Sequence, residues 1–310
     1  MSEQYLQVNG ANLCYEVEGS GPYIVFVAGG NGGHRLFKRI RDLLVKHFTV
    51  VLYDRRGYFR SELTGPQDYT RVIDDNVDDL YSLMKHVTNE KFIIFGISAS
   101  GPIVFRYLVN YPETVSTMFI HEPFWYLQNY SKTKQVQDFH YLLYRVFHYE
   151  DRNASMKLLG KSIFNELDYQ ILVRNQRNDK TNNWSYWLEH ECCESPFVKL
   201  DMDLVKVHKN KLIFLRGEES NGFSISEPGA FIAKTLGKDT YLLPGGHIGF
   251  YTHSEAFAVD FINLCQESTR SRKKKALGTV NIIDGINIIA KKSRGILGAP
   301  AGAPKSGFKV

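Results

Sequence analysis

The sequence predicts an α/β fold, a mostly parallel sheet flanked by helices and interrupted once by a helical insertion. Three observations lead there. Short apolar runs alternate with helical patterns through most of the 310 residues. The alternation breaks at Pro123 and resumes at Leu212. The stretch between is rich in aromatic residues and helical in tendency, which marks it as an insertion between two strands of one sheet.

Taken in order, Tyr5–Val8 and Leu13–Glu18 read as a hairpin around Asn9-Gly10, a dipeptide suited to a tight turn. YIVFVA (23–28) is a buried strand, followed by a glycine-rich turn and a helix near Leu36–Lys46. FTVVLYD (48–54) is the next strand, and a helix over Tyr69–His86 leads to the strand KFIIFG (91–96). A helix over Ser98–Tyr111 stops before Pro112, and VSTMFIH (115–121) is another strand. After the insertion come the strand LIFLR (212–216), a helix at Pro228–Leu236, the strand Thr240–Leu243 and a helix over Ser254–Gln266. The expected organisation is a core of residues 1–122 and 211–268, a helical cap of 123–210, and a tail of 269–310. The cap is expected over the C-terminal edge of the sheet, where open α/β sheets place ligands.

The net charge of +5 is unevenly spread. Residues 270–310 carry ten Lys/Arg against Asp284 alone, which leaves 28 basic and 32 acidic residues for 1–269. The folded part is mildly acidic, so nucleic acid is not expected as its partner. RSRKKK (270–275) reads as a solvated run or an anion-binding patch in a Gly/Pro-biased tail. No stretch has the length of a membrane-spanning helix, and MSEQYLQVNG has no secretory pattern. Cys14, Cys192, Cys193 and Cys265 match no zinc spacing, and the adjacent pair is ill-suited to a structural disulfide. Reduced thiols in a cytoplasmic protein are the expectation. HECC (190–193) offers ligand types, but neighbouring ligands on one segment cannot surround an ion, so a polar helix is expected there and no metal.

In FIIFGISASGPIVFRYL, Ser98 sits between strand and helix with Gly96 two residues before it, the arrangement of a nucleophile elbow. The turn demands tiny neighbours; Ser100 stands where a second glycine is usual. Ser98 as a mere N-cap is the competing reading, and the strand before with the helix after weighs against it. Ser100 is the weaker nucleophile because it lacks a glycine two positions upstream. Acyl transfer builds charge on an oxygen, and two backbone N–H donors should await it. Ala99 is expected to supply one, and Gly30 or Asn31 of AGGNGG (28–33) the other. A phosphate cradle is the rival reading of that loop, but no Gly-Lys-Ser/Thr follows.

The pieces VFVAGGNGG, VVLYDRRGYFRS, FGISASG and LLPGGHIGFYTHSEAFA occur in the order seen in α/β-hydrolase-fold enzymes, and the chain resembles that family over about residues 5–266. The resemblance implies that Asp54, Arg55 and Arg56 form a structural turn. It implies nucleophile, acid and histidine in that chain order, with His247 as the base. The usual histidine–glycine pair after the third strand is replaced by Ala28-Gly29. The acid has two candidate places: Glu218 or Glu219 after LIFLR, where Ser220 fills a position often held by aspartate, or Glu122 after VSTMFIH. HEP (121–123) together with LLPGGHIGFYTHSEAF is similar to zearalenone lactone hydrolases, whose acid follows the earlier strand. Glu122 is therefore expected, with Glu219 as the alternative. The competing reading of Glu122 is an acid pairing with an arginine at the cap hinge.

The resemblance implies a cofactor-independent hydrolase of an apolar ester or lactone. Placed between the strands that end at Glu122 and start at Leu212, the cap aromatics should roof the pocket over Ser98, with Trp125, Trp184 and Trp187 as substrate contacts; core packing is the competing reading for one of Trp184 and Trp187. Ser98 is incompatible with the aspartate nucleophile of dehalogenases and epoxide hydrolases. A carbon–carbon bond hydrolase and a slow or inert ligand sensor remain alternatives, and the oligomeric state is open.

Overall fold

A computed structural model describes residues 3–173 and 183–270; the tail expected over 269–310 lies almost wholly outside the described residues. Nine strands form one sheet: β1 (Gln4–Val8), β2 (Ala11–Gly19), β3 (Tyr23–Val27), β4 (Thr49–Tyr53), β5 (Glu62–Leu63), β6 (Phe92–Ile97), β7 (Val115–His121), β8 (Leu212–Gly217) and β9 (Thr240–Leu243). The order is β1-β2-β4-β3-β6-β7-β8-β9, with β5 added to β2. From β4 to β9 every pairing is parallel, and β1, β2 and β5 make the antiparallel corner. The β1–β2 hairpin closes with Val8 opposite Ala11, and Gly10 takes the positive φ, +76°, that this tight turn needs.

The helices outside the insertion are α1 (Lys38–Leu44), α2 (Val72–Val87) and α3 (Gly101–Asn110) before it. α2 follows the helix dipole, with Asp74 and Asp75 in its first turn and Lys85 and His86 in its last. Between β7 and β8 the chain inserts α4 (Thr133–Tyr149), α5 (Arg152–Ile163), α6 (Glu166–Leu172), α7 (Asn183–His190) and α8 (Met202–Val207). Asp151 caps α5 by accepting from the N–H of Ala154, and Asn165 caps α6 by accepting from that of Asp168. α9 (Ser226–Thr235) and α10 (Gly249–Thr252) follow, and residues 254–262 are helical to the end of the first compact unit. Residues 263–270, also helical, begin a second unit. Among the described residues no helix is long and apolar enough to cross a membrane.

β3 leads by its crossover to β4 on one side, whereas β6 lies on the other. The strand order thus reverses between β3 and β6, and a crevice opens at their C-terminal ends. Residues 28–33 follow β3 there, and Ser98 follows β6.

Trp125 corrects one expectation. Its ring packs 4.9 Å from that of Phe105 on α3, and its Nε1 donates to the Val198 carbonyl at 3.0 Å. It belongs to the main apolar core with Ile103, Phe105 and Phe214, because the chain after β7 turns back over α3 before α4 begins. Trp125→Ala should therefore lower unfolding stability by about 3–5 kcal/mol, read by urea denaturation. A stability loss below about 1 kcal/mol would place the ring outside the core.

Candidate active site

The Ser98 turn is built by short-range forces. β6 ends at Ile97, and Ser98–Ser100 make one 3-10 turn before α3. Ser98 itself has φ +56°, a left-handed conformation that costs a non-glycine residue about 1–3 kcal/mol. Ser100 locks the turn: its hydroxyl donates to the Ile97 carbonyl and accepts from the Ile97 N–H, both at 2.8 Å. That is the physical reason a serine can replace the usual glycine here. Gly29 lies directly against this turn, since a Cβ on it would fall 2.8 Å from Cβ of Ser98. Only glycine lets the loop after β3 approach so closely.

Glu122 is the second residue held in the left-handed region, at φ +45°, just beyond β7; Phe59 is the third among the described non-glycine residues. Its Oε1 accepts from the Gly217 N–H at 2.9 Å, and its Oε2 lies 2.8 Å from His247 Nδ1. Burial pushes this carboxyl up, but the hydrogen bond from His247, the two imidazoles of His121 and His247, and the Ser220 hydroxyl together hold it below the usual range. An ionised carboxylate only accepts, so Nδ1 of His247 is the donor in this contact, which leaves Nε2 as the ring nitrogen free to accept in the neutral tautomer. Glu219 is elsewhere: its exposed carboxylate accepts from Asn165 Nδ2 at 3.2 Å and lies 3.6 Å from His253. Ser220, standing where aspartate is common, instead supports Glu122.

The main chain of His247 is held as firmly as its ring. His121 Nε2 donates to the His247 carbonyl at 3.0 Å, and burial lowers the His121 imidazole to about 4, so it is neutral. On the other side, Asp168 of α6 accepts from the His247 N–H through Oδ2 at 2.6 Å. Phe164 places its ring 5.2 Å from the imidazole. Neither His121 nor Asp168 was singled out by sequence reasoning. His121 could have been suspected from its place beside Glu122, whereas Asp168 lies 79 residues from its partner and gave no signal.

The loop after β3 is tied down by charge. Arg55 is fully buried; its guanidinium donates to the Gly29 carbonyl at 2.8 Å and to both oxygens of Glu191 at 2.9 and 3.0 Å. Glu191 follows α7, so HECC supplies the buried counter-charge for this arginine. Asp54 accepts from the His34 N–H at 2.9 Å and lies 2.7 Å from His34 Nδ1; Arg56 grips Asp79. All three residues of the Asp-Arg-Arg turn thus hold structure together.

Ser98, Gly30, Asn31, Phe164, Trp184 and His247 share the walls of one cavity of about 30 Å³, room for one or two waters. Ala99 is buried behind Ser98. Trp184 lines the cavity, whereas Trp187 does not and stands edge-on to Trp184; a Cβ on Gly30 would fall 3.0 Å from Trp184 and 3.2 Å from Nε1 of Trp187. Among the described residues, His121, Glu122 and His247 place ligand-type atoms within 4.8 Å of one another, a grouping a small cation could use. An ion there would displace the proton between His247 Nδ1 and Glu122 Oε2, so the atoms serve one purpose or the other.

Comparison with known proteins finds related folds and sequences. A family model described as the alpha/beta hydrolase fold matches residues 22–154. The chain has the α/β-hydrolase fold, and the relatives and solved structures it resembles are hydrolases, among them an esterase and a lactonase. It is 29% identical over 258 residues to the uncharacterized hydrolase YraK of Bacillus subtilis (strain 168), covering 82% of this chain and 92% of that protein. It is 22% identical over 267 residues to the zearalenone hydrolase of Bionectria ochroleuca, covering 84% and 96% respectively. A thermophilic esterase from Thermogutta terrifontis shares the fold with a TM-score of 0.69 at 14% identity, over 86% of this chain and 99% of that one. The enol-lactonase of Burkholderia xenovorans LB400 does so with 0.65 at 16%, over 85% and 100%.

Asp168 gives the site a pH signature. Burial, with a smaller push from the Glu122 charge, raises its carboxyl from 3.8 to about 6, against the pull of His247 and the N–H groups of His247 and Ile248. The folded state therefore holds this proton more tightly than the unfolded chain. Its stabilising effect is complete below pH 3.8 and is lost as pH rises through about 6, a swing of about 3 kcal/mol at most. Asp168→Asn keeps an oxygen acceptor but cannot ionise. Its melting temperature should rise relative to wild type between pH 4 and pH 7, and a pH-independent difference would show that Asp168 titrates as in an open chain.

Proposed function

We propose that the protein hydrolyses a carboxylic ester or lactone with a bulky apolar part, through an acyl-enzyme on Ser98. The observation that carries this reading is the 2.8 Å contact of His247 Nδ1 with Glu122, on an imidazole that shares a cavity wall with Ser98. His247 Nε2, left as an acceptor, takes the Ser98 proton as Oγ attacks the carbonyl carbon. The oxyanion is received by the backbone N–H of Ala99 and of Gly30 or Asn31. Collapse breaks the ester bond, and the alcohol leaves with the proton from His247. Water, deprotonated by the same imidazole, then releases the acid and restores Ser98. Glu122 orients the ring and balances its transient charge.

The choice of substrate class is supported by a zearalenone hydrolase among the relatives and by esterase and lactonase folds among the solved structures. A second observation favours a large apolar moiety. Phe124, Tyr126, Val136, Phe139 and Ile163 line a cavity of about 360 Å³ between the inserted segment and the start of α9, a volume typical of small-molecule sites. Ile163 lines this cavity and Phe164 lines that of Ser98, so a bulky group could extend from one towards the other. In this reading residues 123–210 form a cap that selects substrate over a core of 1–122 and 211–268. The free thiols fit a reducing, cytoplasmic setting.

Ser98→Ala should abolish covalent labelling by a fluorophosphonate and cut aryl-ester turnover by at least ~10³-fold. Equal labelling of wild type and variant would end the assignment. Glu122→Gln should lower kcat by ~10³–10⁴-fold while Glu219→Gln stays within a few-fold of wild type. The reverse pattern would transfer the acid to Glu219.

A further inference from the structure

Resting on that reading, we propose that Asp168 is a positioning residue of the reaction. It is the carboxylate through which the inserted helices, together with the end of β7, fix where His247 stands.

The polar contacts of His247 come from two sources. Glu122 and His121, both at the end of β7, hold the ring nitrogen and the carbonyl. The N–H is held from the opposite side by Asp168 Oδ2 at 2.6 Å, a short bond strengthened by the carboxylate charge. The approach is close enough to dictate the neighbouring residue: a Cβ on Gly246 would fall 2.3 Å from Asp168 Oδ2 and 2.4 Å from Asn165 Nδ2. Asn165 completes the joint. Its Oδ1 caps α6 by accepting from the Asp168 N–H at 2.8 Å, and its Nδ2 reaches Glu219 after β8. The first turn of α6 is thus riveted to the loop carrying the base.

A carboxylate is a costly choice for a mere anchor. Asp168 is buried near the carboxylate of Glu122, where like charges repel, and among the described residues its Oδ1 has no hydrogen-bond partner. A neutral amide could hold the loop without that cost. What an ionised acceptor adds is a shorter, stiffer bond to the very residue whose ring must meet Ser98. A displacement of that ring by about 1 Å is enough to lower a reaction rate ~10²-fold.

The test compares wild type, Asp168→Ala and Asp168→Asn as full-length chains. Fluorophosphonate labelling rates are followed by intact mass, with steady-state turnover of an aryl ester and a melt for each. Asp168→Ala should lose ~10–100-fold in both labelling rate and kcat with KM within about threefold of wild type, and Asp168→Asn, which keeps an acceptor without its charge, should regain part of that loss. If Asp168→Ala melts below the assay temperature, Asp168→Leu, which fills the space without an acceptor, takes its place. Labelling at the wild-type rate overturns the positioning role. So does a loss confined to KM, or one that Asn does not restore in part. Absence of labelling in wild type would overturn the hydrolase reading itself, so the two failures are distinct.

Discussion

The contact between Glu122 and His247 requires an ionised carboxylate to remain charged in a space from which water is excluded. Left alone, such a charge is expensive, and the surroundings are organised to offset it. The Gly217 N–H takes one carboxylate oxygen, His247 the other, and the Ser220 hydroxyl adds a further donor. The sheet order makes this possible. β7 pairs with β8, so the residue after His121 emerges beside Gly217, and β8 pairs with β9, whose following loop carries His247. A different arrangement of these three strands would leave the acid without partners and the imidazole without an acid.

Backbone strain marks the same places as buried charge. Ser98 and Glu122 both adopt a left-handed conformation, and both are followed by residues that return the chain to ordinary geometry. Neither is needed to continue a strand. Each turns the chain sharply at the end of a central strand and carries a side chain out of the sheet's alternation, towards the crevice. The cost is recovered from local bonds, such as the two that Ser100 makes to Ile97 and the one from the Phe124 N–H to the Ser98 carbonyl at 2.7 Å.

Much of this architecture was legible in the sequence, for reasons of range. Buried parallel strands are continuous apolar runs, so β3, β4, β6 and β7 were visible as YIVFVA, FTVVLYD, KFIIFG and VSTMFIH, within a residue or two of their ends. Gly96 before Ser98 and the glycines before His247 are signs of tight turns, which are also local. The two-residue β5 was too short to show any period. The aromatic insertion was legible as helical, but not which rings face outward: Trp125 entered the core and Trp184 a cavity wall because of packing between elements, which spacing does not encode. Glu191 and Asp168 were hidden for a related reason. Each is a charged residue on an ordinary helical segment, given meaning by a partner on a different element, 136 and 79 residues away.

The joint between Arg55, Gly29 and Glu191 has a consequence for how this sequence can change over descent. A guanidinium with no exposure, bonded to both oxygens of one carboxylate, cannot lose that carboxylate alone, because a stranded buried charge costs about 3–5 kcal/mol. The converse holds for Glu191. Either single replacement consumes a large part of a domain's total stability, whereas a paired change to apolar residues of similar volume would not. Positions 55 and 191 are therefore expected to drift together or not at all. Because the same guanidinium also holds the Gly29 carbonyl, any such paired drift would release the loop beside Ser98 as well, and so would be seen by selection on activity as well as on folding.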